Sequence, residues 1–535
     1  MKKLEWKKFE KKLIIIFIIL GIIVVLGIIL LIKNTNNNES NSVKDQEVNQ
    51  KQCLDDSTLW LPDNCNLYSQ IPEFTFSSEN GDLHSIKDFQ GKVLIVTFWA
   101  SWCPDCNQEM PLIKEFQKIT EKYDNVEIIL IDKLDNNKET KEKAKQYLKA
   151  NNINIETYYD DGLAAYNMLG MHNIPTTLFI DEQGVLKAWY PKQITEKSVF
   201  EAYLLNTVEG SDATTGDFII NQMMDDDGGI HSAYDTDKVV TFKSDVLSES
   251  QGAMLESAVL KEDKKLFDKM LGYINSFMKT DGLTAWKVTN GDTSKTNALI
   301  DDFRIYRTLT EANNKWGGYD QSIKEYEEDL KKYSIANNNF VDFYEGESKS
   351  YANRLTLCYA DFQAMKILKT KYTEFQEPSE NAIKIVRNGL ISEDFPLYYS
   401  WYNYDEGKYE KDDLNMVEEM VTLLNLARVD LLPEETIAWL KESMDNEGIK
   451  SRYSVEGKVV EGYQYDSTAV YALVAMIADE IGDMNLRADA LKKMEIMRIN
   501  DTSLAYNGAF GLQDGSGILS FDQIMPILAY EYASK

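Results

Sequence analysis

Residues 13–32 read LIIIFIILGIIVVLGIILLI, twenty consecutive uncharged residues. As a helix they rise ~30 Å, the hydrocarbon thickness of a bilayer, so this stretch is expected to be a transmembrane helix. Before it stand Lys2, Lys3, Lys7, Lys8, Lys11 and Lys12 against Glu5 and Glu10. Positive charge stays on the cytoplasmic side, which makes residues 1–12 a basic cytoplasmic stub and everything after Lys33 extracytoplasmic. A cleaved signal would have an apolar core of ~7–15 residues followed by a small-x-small site, whereas Ile and Leu here continue to Ile32. The expected placement is a bacterial cell membrane, crossed once, with membrane lipid as the partner of residues 13–32.

Residues 33–69 form a linker. Its first part, NTNNNESNSVKDQEVNQ, is too polar to collapse. Cys53 and Cys65 then flank LDDSTLWLPDN; a disulfide, two free thiols and an exchangeable pair are all compatible with that spacing. The chain has 57 Lys and Arg against 87 Asp and Glu, a net charge of −30, which repels phosphate backbones and excludes nucleic acid as a partner. Its 28 Gly and 10 Pro in 535 residues are few turn formers, which favours helices over many short strands. His84, His172 and His231 are too scattered for a histidine-based metal centre.

The first folded unit spans residues 70–207. The apolar strand pattern VLIVTFWA (Val93–Ala100) runs into SWCPDC and an amphipathic segment, placing Cys103 and Cys106 where a strand gives way to a helix. Unpaired N–H groups at a helix start favour a thiolate, so an exposed Cys103 is the expected nucleophile and Cys106 the resolving thiol of dithiol–disulfide exchange. Half of a zinc site is the alternative, but no second cysteine pair lies in this unit. VEIILIDK, TKEKAKQYLKA and IPTTLFIDEQGVLKAWY continue an α/β alternation.

The second unit, residues 208–535, is helical by pattern, with amphipathic stretches near 249–261, 263–278, 301–313, 319–333, 351–368, 376–387, 412–426, 434–445, 467–481, 484–498 and 518–533. Such a set suggests a toroid of helical hairpins. The loops between them hold acids and aromatic rings, among them Trp286, Trp401 and Tyr465, the residue types that stack on sugar faces and bind hydroxyls; plugs for a large helical core are the alternative role for the rings. Glycosidic cleavage needs one protonated and one ionised carboxyl from separate loops. Glu249 in LSESQGAMLES, Asp302 in NALIDDFRIYRTL and Asp466 in YQYDSTAVYAL each stand at a predicted helix start, where acids are also common as caps. Cys358, alone in RLTLCYADFQAMKIL, reads as a small buried hydrophobe.

The first unit resembles the ResA and TlpA type of membrane-tethered thioredoxin-fold proteins, on FWASWCPDCNQEMP, GMHNIPTTLFIDEQG and FTFSSENGDLHSIKDFQGK. The resemblance implies that Cys103 and Cys106 cycle, that Glu109 tunes thiol ionisation, and that Pro175 is the cis-proline facing the thiols. Thr97 stands where cytoplasmic thioredoxins carry a buried acid. A membrane thiol electron donor and a protein disulfide substrate are the implied partners.

The second unit resembles glycoside hydrolase family 8, which implies an (α/α)₆ barrel that cleaves β-1,4-linked polysaccharide or oligosaccharide with inversion. The resemblance puts Glu249 in the general-acid position, Asp302 in the position that steadies the sugar, and Asp466 in the general-base position. Leu299 and Ile300 replace the family's threonine and first aspartate, Ser250 its usual glycine, and Ala469 and Val470 stand where an arginine is common. Retained catalytic positions beside altered binding positions imply a changed substrate. The whole chain is thus expected to be multidomain: a transmembrane helix, an α/β thioredoxin fold and an all-α barrel.

The topology has a direct test. The native chain should remain in the membrane fraction, with residues 50–535 open to protease added from outside. A soluble mature form beginning just after residue 32 would show the apolar run to be a cleaved signal.

Overall fold

Strand β3 (Val93–Trp99) is buried at every position because both faces of its sheet are covered. In this computed structural model, which describes residues 67–234 and 245–532, it lies within a seven-stranded sheet. The other strands are β1 (Thr75–Ser77), β2 (Leu83–Ser85), β4 (Val126–Asp132), β5 (Thr157–Tyr159), β6 (Thr176–Ile180) and β7 (Leu186–Tyr190), in the order β2-β1-β5-β4-β3-β6-β7. β3 runs parallel to β4 and antiparallel to β6, with Trp99 abreast of Asp132 and Thr97 abreast of Thr177. Helices α1 (Pro104–Thr120), α2 (Lys141–Ala150), α3 (Ala164–Met168) and α4 (Lys197–Val208) complete this domain. On one face Phe116 of α1 stacks on Phe200 of α4, their centroids 4.1 Å apart, while Phe74, Phe76, Phe98 and Tyr158 fill the other. The transmembrane reading and the Cys53–Cys65 pair lie outside the described residues. Among the described residues no helix is long and apolar enough to cross a membrane.

From residue 211 onward the described residues form twelve α-helices. They are α5 (Ser211–Phe218), α6 (Ser248–Leu260), α7 (Lys264–Tyr273), α8 (Leu299–Trp316), α9 (Asp320–Tyr333), α10 (Phe362–Lys371), α11 (Gln376–Asn388), α12 (Met416–Ala427), α13 (Glu434–Asp445), α14 (Thr468–Ile481), α15 (Met484–Glu495) and α16 (Ser520–Tyr532). Each even-numbered helix packs on the next, and α16 returns to α6, so these helices close an inner ring. The odd-numbered helices form the outer layer. Their sequences show the difference: α14 is buried at every position from Thr468 to Ala478, whereas outer α9 buries Ile323, Tyr326, Glu327, Leu330 and Tyr333 at helical spacing. Gly252 sets the α6–α8 crossing, since a Cβ there would sit 3.1 Å from Ile305 Cγ1.

One expected helix is corrected. Residues 351–368 do not form a single helix: Arg354–Thr356 pairs as a strand with Trp401–Asn403, and α10 begins only at Phe362. Asp342 accepts from the Thr356 backbone and hydroxyl, fixing the extended segment, and Asp361 caps α10 through the Ala364 N–H. Cys358 is buried in this turn, as its apolar setting predicts.

The two domains join through a short link. α4 ends at Val208, and Gly210, at φ 99°, turns the chain into α5. Across the joint, Asn206 Nδ2 donates to Asn500 Oδ1 at 2.8 Å and the Thr502 N–H to the Ser198 carbonyl at 3.2 Å. Tyr68, whose N–H bonds β7, places its hydroxyl between Ser211 and Glu495. Behind it Arg498 is wholly buried: Nε reaches Glu495 at 3.0 Å, Nη1 reaches Thr215 at 2.8 Å and the Gly508 carbonyl, and Nη2 reaches Ser211 O and Tyr530. Removing one partner of a buried pair strands the other, so Arg498→Met should cost roughly 3–5 kcal/mol. Urea unfolding should also resolve two transitions where the unaltered chain shows more closely coupled ones. A change under ~1 kcal/mol would show that the latch contributes little.

Candidate functional site

The thiol centre follows from the junction of β3 and α1. Cys103 is the N-cap of α1, and its sulfur accepts the Cys106 N–H at 3.2 Å. Cys103 Sγ also lies 3.5 Å from the Ile174 carbonyl, beside the cis Ile174–Pro175 peptide. The cis peptide to Pro175 thus adjoins the carbonyl that Cys103 reaches. Contrary to the expected exposure, Cys103 is only 4% exposed, because the Ile174–Pro175 turn covers it. Cys106 is at 1%, and burial, then the hydrogen bond with Cys103, pushes its thiol far up, as suits a resolving thiol.

Glu109 lies one turn along α1 from Cys106, with Oε1 3.4 Å from the Ile194 N–H and Oε2 without a partner. Burial pushes its carboxyl up to about 8, against the Ile194 hydrogen bond. Thr97 bonds Thr177 across the strands and carries no charge. Asp132, which the sequence reading passed over, is wholly buried at the end of β4 with neither oxygen hydrogen-bonded. Burial, then Glu139 and Asp135, push it up to about 8. Glu139 in turn holds Ser101 of the thiol loop by backbone and hydroxyl at 2.8 Å. Two carboxyls that keep their protons at neutral pH thus accompany a dithiol whose oxidation releases two protons.

The second centre lies at the start of the inner helices. Glu249 stands half-buried in the first turn of α6. Burial, then the charges of Asp301, Asp522 and Glu418, push its carboxyl up to about 7, while Arg304 opposes them. Asp301 accepts Ser248 Oγ at 2.5 Å through one oxygen and leaves the other unpartnered. Asp522, in the first turn of α16, accepts the Ala469 N–H at 3.1 Å and is pushed up to about 6 by burial. Glu418 comes from the first turn of α12.

Asp466 stands just before α14, with Oδ1 3.0 Å from Lys450 Nζ. Asp302 is not brought against Glu249. It accepts Asn297 Nδ2 at 2.7 Å near Lys279, and burial pushes it up to about 8. On a helix adjacent residues point ~100° apart, so of the two acids in IDDF it is Asp301 that meets Glu249. The Trp286 carbonyl accepts the Ser248 N–H at 2.9 Å, which ties this 40% exposed ring to the start of α6. Trp401 donates Nε1 to Asp412 and lies near Arg354, and the Tyr465 carbonyl accepts the Ser451 N–H. Among the described residues no three of His, Cys, Asp and Glu gather to hold a metal ion. Sequence reasoning missed Asp301, Asp522, Glu418 and Arg304; their only sequence signal is that each lies in the first two turns of an inner helix.

Comparison with known proteins assigns both domains. Residues 68–204 match the Redoxin family and residues 221–349 match Glycosyl hydrolases family 8. The chain is 28% identical over 322 residues to YdaJ of Bacillus subtilis (strain 168), covering 58% of this chain and 84% of that protein. It is 28% identical over 131 residues to the thiol-disulfide oxidoreductase ResA of Geobacillus thermodenitrificans (strain NG80-2), covering 24% of this chain and 72% of ResA. A solved structure of an alpha-amylase from Clostridium perfringens aligns with TM-score 0.56 and 28% identity over 60% of this chain and 97% of its own.

The buried Glu109 gives a signed pH dependence. The fold favours its protonated form, and an unfolded chain releases that proton near the ordinary carboxyl value of about 4.5. Stability from this group is therefore full below about 4.5 and lost as pH rises toward about 8. Glu109→Gln carries no charge to bury, so its stability relative to the unaltered chain should rise by roughly 3–5 kcal/mol between pH 5 and 8.5 in urea unfolding of the reduced proteins. A difference that stays constant with pH would show that Glu109 titrates normally.

Proposed function

We propose that this chain, a Redoxin thioredoxin-fold domain of the ResA type followed by a glycosyl hydrolase family 8 domain, holds a thiol–disulfide exchanger and an inverting glycan hydrolase at the outer face of a bacterial membrane. In the exchanger, Cys103 attacks a substrate disulfide and Cys106 resolves the mixed disulfide, with electrons supplied by a membrane thiol carrier.

One observation carries the hydrolase reading: a glutamic acid held up to about 7 at a helix start, with a second carboxyl, Asp466, just before another inner helix and beside Lys450. A general acid must keep its proton at working pH, and a general base must be free to take one. Glu249 would protonate the leaving oxygen, Asp466 would activate water, and Asp301 takes the part that the family pattern suggested for Asp302. Trp286, Trp401 and Tyr465 would supply stacking surface for sugar rings. The linkage has two readings. The family resemblance favours β-1,4-linked glycans, while the alpha-amylase relative, matched over nearly its full length, favours α-1,4-glucans.

Assay of the full chain against both linkages separates them, and proton NMR of the first product should show the inverted anomer. Glu249→Gln and Asp466→Asn should each lower kcat by about 10²–10⁴-fold while leaving glycan affinity nearly unchanged. Glycan binding without any rise in reducing ends from the unaltered chain would make the helical domain a binding module instead.

A further inference from the structure

Asp132 is a buried acid that no hydrogen bond in the fold engages. It ends β4, is wholly buried, and neither of its oxygens has a partner. Leaving a polar group unmatched in a core is costly, and each such group calls for a role. Its surroundings share the feature. Apart from Trp189, the described residues of this domain with unpartnered buried side-chain atoms are Trp99, Trp102, Asn107, Glu109 and Asp132. These five stand at the end of β3, in the thiol turn, in the first turns of α1 or at the end of β4.

Register gives the direction of the Asp132 side chain. Side chains alternate along a strand, and Ile128 and Leu130 pack in one cluster with Cys103, Cys106 and Met110, so Asp132 points to that face of the sheet. Trp99 lies abreast of it on β3, one strand spacing of ~4.8 Å away, and packs in the same cluster. Helix α2 covers this face with Tyr147, whose ring centroid is 5.6 Å from that of Trp99 and whose hydroxyl is pushed up by burial and then by Cys106. Glu139, also wholly buried, ties the place to the thiol turn through Ser101.

We propose that Asp132 takes the proton of Cys106 when that thiol resolves a mixed disulfide, through one water that Trp99 Nε1 and the carboxyl can hold, and returns it when the disulfide is opened again. This deepens the exchanger reading and rests on it. In the resolving step the Asp132 carboxylate gains the proton, and the Cys106 sulfur bonds to the Cys103 sulfur. The bond from Cys103 to the substrate sulfur breaks, and the substrate leaves as a thiolate with the electron pair. In reverse, an incoming thiolate attacks Cys103, Cys106 departs as the thiolate, and protonated Asp132 neutralises it. Glu109 is the rival acceptor, but its Oε1 is engaged by the Ile194 N–H, whereas both Asp132 oxygens are uncommitted.

The pH dependence follows from the groups around Asp132. Thr97 and Trp99 of β3 are uncharged; α1 presents Cys106 and Glu109, α2 presents Tyr147, and the loop after β4 presents Asp135 and Glu139. On β5, Tyr159 is pushed up by burial and then by Asp132, and Lys141 stands 4.8 Å over its ring. Lys133, next along the chain, lies over Tyr166. Burial, then Glu139 and Asp135, move Asp132 up to about 8, and below that pH it already holds a proton and accepts no other.

The test uses the full chain in detergent, with Cys53, Cys65 and Cys358 changed to Ala in every sample. The reduced protein is mixed in stopped flow with the chromogenic disulfide dithiobis-nitrobenzoate. Attack by Cys103 releases one aromatic thiolate and attack by Cys106 the second, so the second release reports the resolving step. Its rate should rise with pH and level off near 8. In Asp132→Asn it should fall by about 10²-fold at that pH and climb with hydroxide without levelling, while the break survives in Glu109→Gln. Asp132→Ser gives the same reading should the amide not pack. A second release with the same rate and break in Asp132→Asn overturns the proposal, and so does a break lost in Glu109→Gln. An unaltered chain that releases the first thiolate and never the second removes the exchanger reading itself, and the proposal with it.

Discussion

Arg307 is the point on which the helical domain turns. Six helices packed in a ring leave a column along their axis that must be filled, and this chain fills it with charge. Arg307 of α8 holds Glu256 of α6 and Asp361 at the start of α10, Glu256 also reaches Arg428 after α12, and Tyr532 of α16 donates to Glu256 at 2.6 Å. One guanidinium with its partners thus ties five of the six inner helices. Such a network need not stabilise more than apolar packing of the same volume would, but each missing partner leaves a buried charge behind. Its effect is to fix register: no inner helix can slide by a turn without breaking it.

The register carries up to the site. Glu249 and Glu256 are seven residues apart on α6 and so share its inward face, as do Ile300, Arg304 and Arg307 on α8 and Val421, Leu424 and Arg428 along α12. Glu418 and Asp522 stand three residues before Val421 and Met525 on their inward faces. What fixes the axis therefore also fixes the four acids that surround each other at the helix starts. Burial first, and then their mutual repulsion, hold Glu249 near neutrality.

Much of this was legible in the sequence, and its failures have physical causes. Helical period located the outer helices well, because a half-exposed helix such as α9 must alternate its faces, and the C-x-x-C at a strand end marked the thiol centre. Period failed at 351–368, where Asp342 and the Asp361 cap, distant or local polar groups, override an apolar spacing that suits a helix. It also missed α5, which has too few residues for its pattern to stand out. The choice between Asp301 and Asp302 depended on helix phase relative to α6, which is a tertiary property. The cover over Cys103 comes from residues 174–175, some seventy positions away, and strand-to-helix reasoning at residue 103 does not contain it.

The joint between the domains bears on why they share a chain. Linked domains normally move against each other unless their interface is large or specifically bonded. Here the link is two residues long, and Tyr68, whose N–H bonds the Leu186 carbonyl, places its hydroxyl on Ser211 and Glu495 beyond it. Arg498 holds Glu495 from the helical side of that joint. With the Asn206–Asn500 and Thr502–Ser198 hydrogen bonds, these contacts tie the two domains across the joint. Thiol transfer between the two is not what the geometry serves, since Cys358, the cysteine within the described barrel, is buried in the turn before α10 among apolar residues. The gain from fusion is then one of shared local concentration rather than of chemistry passed from domain to domain.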